Sequence, residues 1–308
     1  MPALPLYWEI LYTNILPIFL AAGAGLALGR RFKIDVRSLS RVAFYVFSPC
    51  LVFNSLTHSS LTGGDVTRIA LITFATTGAV ALIAYLAGSA LRLERRLLVS
   101  LMVAAAFGNA GNFGLAVNKF AFGDEALARA VIYYAFSTLC VYTLGVAIAS
   151  FGRRSWREMV RHGLLLPTTF AFVIAGLLRL ANLGVPDPVD RAVSLLSQAA
   201  IPIMLILLGL QLAASGGWDR SRLGLLGLVA AVQLVAAPLI ALGLISLLHV
   251  TGITRQAVAV ESAMPTAVVT TILAVEYDLD VAFVSGAVIV STLLSPLTLT
   301  PLIAWLQR

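Results

Sequence analysis

Residues 97–118 read LLVSLMVAAAFGNAGNFGLAVN, and the point at which that stretch stops favouring helix decides the fold. Eleven mostly apolar residues come first, Leu97 to Phe107. Three Gly and two Asn then crowd into Gly108 to Gly114, and both types form helix poorly. The apolar part climbs about 16 Å at 1.5 Å per residue, about half of a ~30 Å hydrocarbon core. A break near the middle of a membrane is predicted.

Residues 254–275, TRQAVAVESAMPTAVVTTILAV, repeat the situation with different chemistry. Here Met264-Pro265-Thr266 interrupts the run, and Pro265 has no N–H and clashes with the preceding turn.

The rest of the chain fits lipid as its solvent. Of 308 residues, 60% are hydrophobic and 11% charged, where a soluble domain carries roughly a quarter charged. Mean hydropathy is +0.97. A soluble domain and a conventional enzyme are excluded on these grounds. Ten stretches have the length and polarity of spans: 10–28, 38–57, 67–90, 96–118, 127–150, 163–181, 190–213, 222–248, 254–275 and 280–305. The N-terminus lacks a basic region and carries Glu9, so the first run is expected to be a retained helix rather than a signal peptide.

Loop charge orients the chain. Fourteen of the 21 Lys and Arg lie on one face, in 30–41, 92–96, 153–161 and 220–222. Basic loops stay cytoplasmic, so both termini are expected outside the cytoplasmic face of a cell (plasma or inner) membrane. Ten helices divide into halves of five, residues 1–151 and 152–308, of opposite orientation. This all-α arrangement of two inverted repeats is common in secondary transporters. The interrupted helices are the fourth of each half, so they correspond.

Paired discontinuous helices are the best sequence pointer to a carrier site. The candidate substrate-binding residues are therefore Asn109, Gly111, Asn112 and Gly114 on helix 4 and Met264, Pro265 and Thr266 on helix 9. Each break frees the N-terminus of a half-helix, which favours anions and carboxylates in particular. Glu261, inside helix 9, is the candidate coupling residue, because an intramembrane carboxylate can exchange a proton or hold Na⁺ beside freed carbonyls. Asn54 and Gln211 are secondary candidates near the cavity, while Gln198 and Gln233 read as interhelical hydrogen bonds. Gly25 and Gly29 form a Gly-x-x-x-Gly suited to close helix packing or a dimer contact.

Other chemistry has no support. Cys50 and Cys140 are far apart and form no CxxC; His58, His162 and His249 form no ligand cluster, so no metal site is expected. With only Lys33 and Lys119, the chain has no phosphate-binding Gly-x-x-x-x-Gly-Lys motif, nor a Gly-x-Ser-x-Gly elbow. No cofactor is expected beyond a coupling H⁺ or Na⁺, and no nucleic-acid partner.

Three segments carry a family resemblance: Gly29-Arg30-Arg31-Phe32-Lys33 with Ser48-Pro49-Cys50-Leu51-Val52-Phe53-Asn54-Ser55-Leu56; Gly108 to Leu115; and Ala263-Met264-Pro265-Thr266-Ala267 with Ile272 to Tyr277 and Ser291 to Leu297. The chain resembles bacterial members of the auxin efflux carrier family, within the bile acid/auxin transporter superfamily. The resemblance spans the whole chain. It implies helices 4 and 9 crossing at their breaks, homodimers, and movement of small organic acids: auxin in plants, malate or malonate in some bacterial members. By position, Asn109, Asn112 and the peptides around Pro265 would hold the carboxylate. Where family members often carry Pro after Gly-Leu in helix 4, this chain has Ala116, which leaves Gly108, Gly111 and Gly114 to hold the break. Two alternatives stand beside an efflux carrier: a membrane sensor that binds without transport, and a cation/proton antiporter.

Overall fold

The computed structural model describes residues 3–151, 157, 161, 163–214 and 222–308. Three of the basic residues used for orientation, Arg153, Arg154 and Arg220, lie outside them. The described residues form helices and contain no strand. In chain order these are α1 (Pro5–Arg31), α2 (Val36–His58), α3 (Gly63–Ala90), α4 (Arg95–Ala106), α5 (Ala110–Ala149), α6 (Pro167–Leu180), α7 (Asp187–Ala214), α8 (Leu223–Leu247), α9 (Gly252–Ser262), α10 (Val269–Glu276) and α11 (Val281–Leu306). Seven of them, α1, α2, α3, α5, α7, α8 and α11, are long and apolar enough to cross a membrane.

Local sequence explains how the helices start and bend. Asp35 caps α2 by accepting from the Arg37 N–H, and the Ser38 hydroxyl that donates to it holds its carboxyl below the usual carboxylate range. Thr62 and Asp65 form a reciprocal capping box at the start of α3. α6 begins at Pro167, later than the residue 163 expected, with the proline in the first turn where its missing N–H costs nothing. Wide turns of π-helix at Leu11–Ile15, Ala43–Phe47 and Val232–Ala236 each end two residues before a proline: Pro17, Pro49 and Pro238. The bulge accommodates the clash between a proline ring and the carbonyl one turn back. α5 leaves helical geometry at Gly123 (φ +80°, ψ −167°), which divides it between the spans expected to end at 118 and to begin at 127.

The largest helix pairing is α1 on α7. A side chain at Gly25 would overlap the Ile206 backbone, and one at Gly209 would overlap the Ala22 carbonyl. The Gly-x-x-x-Gly of α1 thus packs inside the chain, against α7. Arg179 on α6 ties down the α2–α3 connection by donating to the carbonyls of Leu56, Ser59 and Leu61. Large apolar side chains such as Leu180 and Leu297 stand exposed on the outer surface, where lipid would cover them.

Candidate functional site

The two interrupted segments meet. Helical geometry lapses at Phe107–Asn109 and again at Ala263–Val268. Gly108 and Thr266 pair there as an antiparallel bridge. The Asn109 N–H donates to the Pro265 carbonyl at 2.7 Å, and the Ala267 N–H donates to the Phe107 carbonyl at 2.8 Å. The Thr266 N–H donates to Ser291 Oγ of α11 at 3.0 Å. Pro265 brings a carbonyl but no N–H to the crossing, so it adds no backbone donor that needs a partner there. These bonds pair, within the protein, backbone groups that no helix satisfies, as low-dielectric surroundings demand.

The first lapse is shorter than the Gly and Asn cluster implies. Ala110–Gly114 is a π-helical turn opening α5, not an extended gap. The glycines in it allow close approach. The Tyr134 ring lies over Gly111, and the Glu261 carboxyl group lies against Gly114. The crossing is therefore held by its pairing to the second segment, and not by three glycines alone.

A cavity of about 170 Å³ lies beside the crossing. Asn109, Gly111, Asn112 and Gln211 line it, together with Ser48, Tyr134, Ser137 and Tyr142, which the sequence did not single out. Both half-helices, α5 and α10, begin at its wall, with Ala110 and Val269 among its lining residues. Two partially positive helix ends therefore border one space. Asn112 Nδ2 lies 3.5 Å from Gln211 Oε1, at the outer limit of a hydrogen bond, and the Asn109 side-chain Nδ2 has no protein partner. The Tyr134 hydroxyl donates to Ser48 Oγ at 3.2 Å. Among the described residues, the lining contains no Lys, Arg, Asp or Glu.

The other sequence candidates sit elsewhere. Met264, Pro265 and Thr266 form the second segment of the crossing and are not among the residues that line the cavity. Gly114 and Glu261 lie behind it. Glu261 is 1% exposed, and its Oε1 accepts from Asn118 Nδ2 at 3.0 Å. Asn118 also donates to the Gly114 carbonyl at 3.1 Å. Asn54 lines a separate cavity of about 560 Å³ with Lys119, Asp124 and Gln198. Gln233, on α8, donates from Nε2 to the Met264 carbonyl at 3.0 Å. Its sequence signal was only that of an amide inside an apolar span, and Asn118 gave none beyond closing the span it ends.

Comparison with known proteins points to membrane transport. A family described as "Membrane transport protein" matches residues 10–303. A protein named an uncharacterized transporter of Methanothermobacter thermautotrophicus is 32% identical over 274 residues, 88% of this chain and 89% of that one. Another so named, from Methanocaldococcus jannaschii, is 24% identical over 270 residues, 85% of this chain and 86% of its own.

Proposed function

The chain belongs to the auxin efflux carrier family of membrane transport proteins, and from that premise we propose a secondary carrier for small organic anions with a carboxylate group. The observation that carries the reading is the cavity at which two helix N-termini and the amides of Asn109, Asn112 and Gln211 converge. The carboxylate oxygens would take the first-turn N–H groups and the amide donors. The carbon frame would rest against Phe44, Tyr142 and Ile272, which line the same space.

The ten spans, as two inverted halves at 1–151 and 152–308, belong to this proposal. So do a cell-membrane location with both termini outside, and a homodimer. Each half contributes one broken helix. Alternating access would then be a movement of the crossing, with its cargo, past α2 and α7. Glu261 is the coupling residue in this reading, exchanging a proton as the cargo moves. Its burial directly behind the crossing, against Gly114, supports that role.

The test is flux of labelled mono- and dicarboxylates into proteoliposomes under an imposed pH gradient. The proposal expects gradient-dependent flux, and Glu261→Gln with flux that no longer follows pH. Ligand binding with no flux would instead make the protein a sensor. Flux that follows sodium rather than pH would remove the proton from the scheme.

A further inference from the structure

A second, far smaller chamber lies on the other side of the crossing. Its volume is about 10 Å³, the room one water molecule needs. Thr76 on α3, Gln233 on α8 and Glu261 on α9 line it. Each is at least nine-tenths buried, and Thr76 Oγ1, Gln233 Oε1 and Glu261 Oε2 have no hydrogen-bond partner in the protein. The orientation of the Gln233 amide is fixed, because its Nε2 must face the Met264 carbonyl to which it donates. Three unpaired buried oxygens around a space of this size are costly unless something bridges them. A water makes two to four such bonds.

Two residues, Gly108 and Ser137, line both this chamber and the larger cavity. They form the partition between them. Gly108 is main chain at the crossing. Ser137, on α5, brings a hydroxyl, which can donate and accept at once.

We propose that Ser137 and one water held by Thr76, Gln233 and Glu261 form a proton relay from the larger cavity to the Glu261 carboxylate. A hydronium ion in the cavity gives a proton to Ser137 Oγ, and is left as water, as Ser137 gives its own to the chamber water. The chamber water in turn gives one to Glu261 Oε2. At Ser137 and at the chamber water one O–H bond breaks and one forms, the donor loses one and Glu261 gains one, no electron moves, and the net change is one proton passed from the cavity to the carboxylate. This rests on the carrier reading for its purpose, but not for its test.

The surroundings leave Glu261 as the relay's one acid. Tyr133 is the other titratable side chain lining the chamber. α8 and α11 carry no charged residue, and α3 carries only Asp65 and Arg68, near its start. On α5, Lys119 and Asp124 pair with each other near Gly123, and Arg129 is engaged by Glu125 and Thr254.

The experiment needs no substrate. In the purified full chain, the infrared band of the protonated carboxyl is followed after a rapid pH jump, with Glu261→Gln identifying the band. Ser137→Ala should slow its appearance on the order of a hundredfold, the scale of losing a positioned proton-transfer group, and leave its midpoint pH unchanged. Ser137→Thr, which keeps a hydroxyl, should restore the rate and controls for misfolding. An unchanged rate in Ser137→Ala overturns the relay, as does a Glu261→Gln variant that keeps the band. Loss of the band in excess sodium chloride, against choline chloride, also overturns it, by making the chamber a cation site. A protein that passes and moves no carboxylate sinks the carrier reading alone. Transport that follows pH with a normal rate in Ser137→Ala sinks the relay alone.

Discussion

Gln233 and Met264 are joined across the crossing: the amide Nε2 of the first donates to the carbonyl of the second at 3.0 Å. α8 thereby takes up a backbone group that the second broken helix cannot satisfy itself. Gly108 lies directly beneath this contact, and a Cβ there would lie 2.6 Å from Gln233 Nε2 and 3.3 Å from the Met264 carbonyl oxygen.

Gly108→Ala is therefore expected to push the amide off the carbonyl. Overpacking of this kind costs about 1–3 kcal/mol. The expected outcome is a lower unfolding midpoint in detergent and reduced flux. An unaltered midpoint would show that the Gln233 side chain yields without loss.

Asn112→Ala should leave the fold intact, because the side-chain hydrogen bond it makes among the described residues, to Gln211, is long. If Asn112 donates to the carboxylate, affinity for the cargo should weaken about tenfold, the scale of one hydrogen bond to a charged group. Ligand-induced thermal shift across a carboxylate series measures this.

Gly209→Ala and Gly176→Ala form a matched pair. A Cβ at Gly209 would overlap the Ala22 carbonyl, while one at Gly176 has nothing within 4 Å. The first should lower the unfolding midpoint sharply by forcing α1 and α7 apart. The second should leave it unchanged or raise it slightly, since Ala favours helix over Gly by about 1 kcal/mol.

Arg129 is 7% exposed, donates from Nε to Thr254 Oγ1 at 3.0 Å, and pairs with the more exposed Glu125. Glu125→Ala strips the carboxylate from a buried cation. It should destabilise the chain more than Asp124→Ala, whose pair with Lys119 is exposed on both sides. Added salt should narrow the Asp124 effect and leave most of the Glu125 effect, because buried pairs are screened less. Chemical or thermal unfolding of both variants at two salt concentrations decides it.

Both breaks were legible because their causes are local: glycine and asparagine favour other geometries, and proline forbids the next hydrogen bond. Their extent was not legible. Gly111 and Gly114 stay in a helical turn because Tyr134 and Glu261 press on them, which is tertiary context overriding propensity. The pairing of Phe107 with Ala267 was hidden, because main-chain bonds leave no trace in residue type. Asn54 and Gln211 read alike as amides in spans. Only the packing of α2 and α7 sends one to the separate cavity beside Lys119 and the other to the crossing.

The bridge between Gly108 and Thr266 is made by main-chain atoms, so its hydrogen bonds do not draw on the amide and aromatic side chains around it. Relatives could exchange the amides and aromatics around it, and with them their preference among acids, while the joint that brings the two half-helices together survived each exchange. Diversity of cargo and constancy of architecture would then come from different parts of the same few residues.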